Sequence, residues 1–316
     1  MAVPAPSRAQ KPDDTSSGTA FGLRIDNDTL AGTDRCYTGG LTLHWVQSPE
    51  RPEAGGIRNF LAGGDPDAEA GLHITLSQAI YTPDNIRRSD VIPDDRPYAG
   101  LLMLRVAVPV IRETRADLYT VSVGVAGPAS GAEQTQTWIH RATGNVDPAG
   151  WQHQLGNEPV VQLRWDRRWQ GLALGGGEGF GVRLTPHVDV GLGTLSMDAG
   201  LGGTVRAGWN VAPDPGWRSI RPGGGRAPGS RSARRLRVEL HATVGGRLVA
   251  RNLLLDGNNF RDSHSVERSP ATADAVFGAE VGLGRVNLLY ELVFWTRKFE
   301  TESRNQAYSS IALRLN

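Results

Sequence analysis

The chain is short of cysteine, lysine and long apolar runs, and each shortage closes off a class of protein. Cys36 is alone among 316 residues, which excludes an internal disulfide framework. A single cysteine beside a turn reads first as a passive small residue rather than a nucleophile. The longest apolar run, Leu101 to Ile111, is interrupted by Arg105 and is too short to cross a bilayer as a helix. A formal net charge of +1 provides no global field for nucleic acid, so no nucleic-acid partner is expected. No Gly-x-Ser-x-Gly occurs, so a nucleophile elbow is absent. No paired Cys or His spacing suggests zinc. Only Lys11 and Lys298 are lysines; the other basic residues are arginine, through codon bias or for bidentate phosphate recognition. No apolar core follows Met1, so an exported protein is expected here as its mature chain, without its signal.

What is present is glycine (40 residues), eight tryptophans and a recurrent alternation of apolar and polar positions. Leu41, Leu43 and Trp45 alternate with Thr42 and His44, and Val238, Leu240, Ala242 and Val244 alternate with Arg237, Glu239, His241 and Thr243. Period-two alternation of this kind is a strand signal. In a soluble sandwich the apolar set meets a core; in a membrane barrel it meets lipid, and the polar set lines a wet lumen. The runs are about the ten residues that a tilted membrane strand needs, and His, Arg, Asp and Glu share the polar faces. The expected fold is therefore all-β, an outer-membrane antiparallel barrel of about twelve strands. These begin near Phe21, Thr38, Ala70, Pro97, Leu118, Glu158, Phe180, Leu201, Leu236, Ala273, Arg285 and Gln306. Residues 1–19 read as a disordered leader and 20–316 as a single barrel. The last strand lacks a terminal aromatic residue, and a soluble all-β binding protein is the rival fold reading.

An even strand count puts both termini in the periplasm. The connections Asp28 to Thr38, Tyr81 to Arg96 and Gly127 to Asn157 then face outward. The residues that look most chemical lie in these three connections, which predicts one site in the lumen near the outer rim. Ser48 to Glu69 and Ala212 to Arg235 would be periplasmic, although both are long for periplasmic turns.

Three clusters carry candidate chemistry. Asp26-Asn27-Asp28 with Thr33 to Thr38 is rich in oxygen and could bind a hard cation, or be an ordinary Asx turn. Arg87-Arg88, followed by Asp94-Asp95-Arg96, could hold a phosphate or an oxyanion, or be a solvated basic turn. Gln134, Gln136, Trp138 and His140 precede Gly144, Trp151 and Asn157-Glu158. A histidine is the natural base for water near neutral pH. A lone one is more often structural, and His44, His73, His187 and His241 are equally available in the expected lumen.

Taken in order, these clusters resemble the LpxR-type lipid A deacylase family of Gram-negative outer membranes. The resemblance runs through Asn27-Asp28, Asp34-Arg35, Tyr37-Thr38 with Gly40, and Gln78 with Ile80-Tyr81 and Pro83. It continues at Asp95-Arg96, Gly127-Pro128, Gln136 with His140-Arg141, Gly144 and Trp151. Arg251-Asn252 through Asn258 and Phe260 to Ser265 extend it over nearly all the chain after the leader. It implies a twelve-stranded outer-membrane barrel and calcium-dependent removal of the 3′-O acyl group of lipid A in lipopolysaccharide. It further implies His140 as general base, with Asn27, Asp28 and Thr38 on the metal and polar side of the site. Asn27 and Asp28 would be the metal ligands, and Arg87 or Arg88 a partner for the oxyanion or a substrate phosphate. One departure stands out: the family pattern has an acidic residue where Val146 stands here, with Asp147 next to it. That departure motivates a second reading, a non-catalytic barrel of the same family serving as a channel or a structural protein.

Overall fold

The computed structural model describes residues 18–28, 36–50, 56–175, 179–211 and 236–315. Most of the leader, the Asp34-Arg35 part of the first cluster and the arginine-rich 212–235 connection lie outside these residues.

Twelve long antiparallel strands close into a barrel. In chain order they are β1 (Thr19–Asn27), β2 (Cys36–Glu50), β3 (Glu69–Thr82), β4 (Ala99–Ile111), β5 (Arg115–Ala126) and β6 (Glu158–Trp169). After a three-residue β7 (Ala173–Gly175) come β8 (Phe180–Gly193), β9 (Ser196–Trp209), β10 (Arg237–Asn252), β11 (Ala271–Leu283), β12 (Val286–Trp295) and β13 (Gln306–Leu315). Neighbours in sequence pair in a continuous meander; β1 pairs with β13, and β6 bypasses β7 to pair with β8. β7 only extends the edge of β8. The ring thus has no open edge, as a spanning sheet requires, because lipid offers no partner to an unpaired backbone.

The polarity is that of a membrane protein. On β10, Leu240 is 62 % exposed while its neighbour Glu239 is fully buried. Phe21, Leu23 and Ile25 are exposed on β1, whereas Arg24 and Asp26 are buried between them. A soluble sandwich would reverse both sets. The lumen charges are paired, as buried charges must be. Arg24 bridges Asp26 (2.7 Å) and Glu291 (2.9 Å), and Glu291 also meets His241 (3.0 Å). Arg164 and Arg247 share Asp189 and Asp198.

β1 starts and β13 ends at the same end of the barrel, where Phe21 faces Leu315; in bacterial barrels this is the periplasmic end. The opposite mouth is filled. Tyr37, Tyr81, Trp295 and Tyr308 stack with centroids 4.8–5.9 Å apart, and α3 (Leu253–Asp256) drops Leu253 and Leu254 into the same cluster. Arg96 covers the Tyr81 ring at 4.5 Å. The outer loops are stitched above this plug. His264 donates to the Asp95 carbonyl (2.7 Å), Thr301 to the Asp94 carbonyl (2.6 Å) and Asn258 to Glu158 (3.0 Å). Below it lies a cavity of about 320 Å³ whose lining includes His73, Arg105, Arg168 and His187.

Candidate active site on the outer wall

His140 sits in the outer connection between β5 and β6, on α2 (Ala132–Thr143). The sequence points to a site in the lumen, whereas the helix that carries His140 lies on the other side of the wall. On β3 the residues lining the lumen cavity are His73, Thr75, Ala79 and Tyr81, so Gln78 and Ile80 point outward by alternation. Yet Ile80 is buried, packed with Ala132 of α2, Ile86, Tyr98 and Trp151. The Gln78 amide donates to the Ser130 carbonyl (2.7 Å) just before the helix. The helix therefore lies on the lipid-facing side of β3 and β4. Gly100 permits this approach: a Cβ there would stand 2.0 Å from Ser130 Oγ and 2.4 Å from Ala132 Cβ.

Within α2, Ala132, Gln136 and His140 are the buried residues and recur at helical spacing, which makes one face that meets the wall. Gly144 ends the helix at φ 73°, a conformation that favours glycine, and turns the chain back. The return brings the Val146 carbonyl to His140 Nδ1, which donates to it at 2.6 Å. With Nδ1 carrying the proton, Nε2 of the neutral ring keeps its lone pair. Gln136 Oε1 accepts from Trp151 Nε1 (2.8 Å), which leaves the buried Gln136 Nε2 without a protein partner. Burial pushes the Tyr98 phenol up to about 12, so it stays a donor to the Ile86 carbonyl (3.3 Å).

Thr38 comes to this side by an irregularity. The β2–β3 register shifts between Tyr37 and Gly39, so Thr38 is an extra residue with no strand partner. Tyr37 thereby turns into the lumen plug, where its hydroxyl donates to Asp26 (2.7 Å). The Thr38 hydroxyl instead meets that of Thr82, at 2.7 Å. Asn27 follows the outward set Phe21, Leu23 and Ile25 and pairs in register with Gly39. Asp28, at the end of β1, is fully buried. Arg87 and Arg88 have exposed side chains on a loop tied to the segment after His140: Ala149 N–H donates to the Ile86 carbonyl (2.8 Å), and Gln152 to the Ser89 carbonyl (2.7 Å).

The chemistry of the donor set fits a hard cation: one carboxylate from Asp28, with neutral oxygens from Asn27 and Thr38. Among the described residues no group of three or more His, Cys, Asp or Glu could hold a metal. The Asp147 carboxylate, next to Val146, pairs with Arg141 Nε at 3.0 Å on the exposed side. Gln78 enters with the family resemblance, and the sequence assigns no site role to it, to Thr82 or to Tyr98. Their roles depend on a bulge and on a helix folded back over the wall, neither of which leaves a local signal.

The family model described as outer membrane protein LpxR matches residues 1–316. The structure of LpxR from Salmonella typhimurium is similar, with a TM-score of 0.76 and 21% identity over 94% of this chain and 99% of that one. The β domain of the Bordetella autotransporter BrkA gives a TM-score of 0.44 at 9% identity, covering 95% of this chain and 98% of that one. The curated proteins gave no match.

Proposed function

The chain belongs to the LpxR family of outer membrane proteins, and from that membership we propose that it is a lipid A 3′-O-deacylase, a carboxylic ester hydrolase acting on lipopolysaccharide in the outer leaflet. The observation that carries the reading is His140: a buried histidine on the wall-facing side of an outer helix, on the lipid side of the wall, with Nδ1 fixed and Nε2 left as the base.

His140 Nε2 takes a proton from water as the water oxygen attacks the ester carbonyl carbon. The tetrahedral intermediate collapses with cleavage of the bond to the sugar oxygen. The imidazolium returns the proton to that oxygen, giving a free sugar hydroxyl and a fatty acid. Asn27, Asp28 and Thr38 would hold a calcium ion through their oxygens; when bound, it supplies positive charge for the developing oxyanion. Gln136 Nε2, one helical turn before His140, is a buried donor without a protein partner. Arg87 and Arg88 meet the substrate phosphates from the exposed loop, where a guanidinium can bind bidentately.

The alternative, a barrel of the same family without chemistry, is favoured by the apolar Val146 and the engaged Asp147. As a channel it is disfavoured by the aromatic and leucine plug across the outer mouth. Mass spectrometry of lipid A incubated with the detergent-refolded protein, with calcium or with chelator, separates the two readings. The deacylase loses one ester-linked chain in calcium, and His140→Ala abolishes that loss while the barrel stays folded.

A further inference from the structure

The long connection between β2 and β3 carries a second helix, α1 (Ile57–Ala62), at the periplasmic end. It too lies on the outside of the wall. Its Ala62 packs with Ala70 of β3 and Val108 and Val110 of β4, with Leu61 and Leu72 against them. Ala70 and Leu72 share their face with exposed Leu76, while Val108 and Val110 share theirs with exposed Leu104 and Val106. The placement is fixed by side chains: Arg112 donates to the Ala62 carbonyl at the helix end (3.0 Å) and pairs with Asp65 (3.5 Å). Arg58 pairs with Glu50 (3.2 Å).

The two helices therefore bracket the same pair of strands from opposite ends. Little apolar wall is left between them. On β4, Gly100 lies under α2 and Val108 under α1, so the uncovered outward positions run from Leu102 to Val106, about 13 Å at roughly 3.3 Å per residue. On β12, by contrast, the exposed apolar positions run from Val286 to Phe294, about 26 Å along the strand by the same rise. The apolar belt of such barrels is about 25 Å tall. Where β3 and β4 pass, the hydrocarbon layer must therefore reach the helices themselves. The side chains they present outward match this: Ile57 is 67 % exposed, Phe60 76 % and Trp138, on α2, 71 %.

We infer that α1 is a lipid-contacting helix whose Ile57 and Phe60 insert among the phospholipid acyl chains of the periplasmic leaflet, continuing the apolar belt beneath the wall that bears α2. The occupant follows from continuity: the flanking outward residues of the same strands face acyl chains, and among the described residues no protein surface separates them from α1. The inference concerns only how the barrel sits in the bilayer and is independent of any chemistry at His140.

The test is nitroxide labelling of Phe60→Cys in a Cys36→Ser background, reconstituted in phospholipid bilayers. Collision rates with oxygen and with a water-soluble nickel chelate report the surroundings of the label. Reference labels are Leu313→Cys on the lipid-facing wall and Glu300→Cys in an outer loop. The expected ratio of oxygen to nickel collisions at position 60 is several-fold above that at 300 and close to that at 313. A ratio equal to that at 300 would overturn the inference. Ile57→Cys gives an independent reading on the same helix should the first variant fold poorly. Neither result depends on whether the protein cleaves an ester.

Discussion

His140 Nδ1 donates to the main-chain carbonyl of Val146, 2.6 Å away. Val146 thus orients the histidine through its backbone and not its side chain, so the side chain can be changed without touching this bond.

Val146→Glu adds a carboxylate without touching the carbonyl that holds His140. The Val146 side chain is partly exposed, so the substitution is sterically open. The calcium concentration that gives half-maximal hydrolysis is expected to fall about tenfold, since affinity for calcium follows ligand charge. An unchanged calcium dependence would place the metal away from this segment.

Gln136→Leu removes the acceptor of Trp151 Nε1 and leaves a buried donor unpaired, at a cost of about 1–3 kcal/mol. The packing under α2 loosens, and kcat/KM is expected to drop about tenfold or more. The heat-induced gel shift of the barrel should be unaffected, because the strands do not depend on this contact.

Gly100→Val drives a side chain into Ser130 and Ala132 and lifts α2 off the wall. Activity should be lost while the barrel remains closed. Gly246→Ala, where an added Cβ meets nothing within 4 Å, is the matched control and should retain activity. Equal activity in the two variants would show that the close approach of helix and strand is not needed.

Glu291→Ala leaves Arg24 and His241 facing each other in the lumen without their shared carboxylate. Breaking a buried pair costs about 3–5 kcal/mol, so the unfolding temperature seen by gel shift should fall clearly. Because this network is inside and the site outside, the rate measured well below that temperature should hold.

Much of the barrel was legible in the sequence because period-two alternation is a local property. All the long strands but β5 and β9 start within about two residues of the expected positions, and the twelve-strand count stands. The long connection expected after Ser48 lies at the periplasmic end and carries α1, while the 212–235 connection lies outside the described residues. The side of the wall was not legible. His140 lies in a helical stretch, so strand alternation says nothing about whether that helix folds over the lumen or over the outside. The decisive signal is Ile80, an apolar residue that ordinary alternation assigns to lipid and that the structure buries under α2. Thr38 was singled out through its resemblance to a family motif, but its orientation comes from a register shift that no pattern in β2 announces. The stretch Arg251 to Ser265, also part of the resemblance, supplies the lumen plug and its stitching.

The central claim is ester hydrolysis by His140 on the outer wall, and the most direct measurement is lipid A mass spectrometry with the refolded wild-type and His140→Ala proteins, each with calcium and with chelator. The account predicts loss of a single 3′-O-linked acyl chain for the wild type in calcium, and intact lipid A in the other three samples. The same loss from the His140→Ala protein, or intact lipid A from the wild type in calcium, would contradict it.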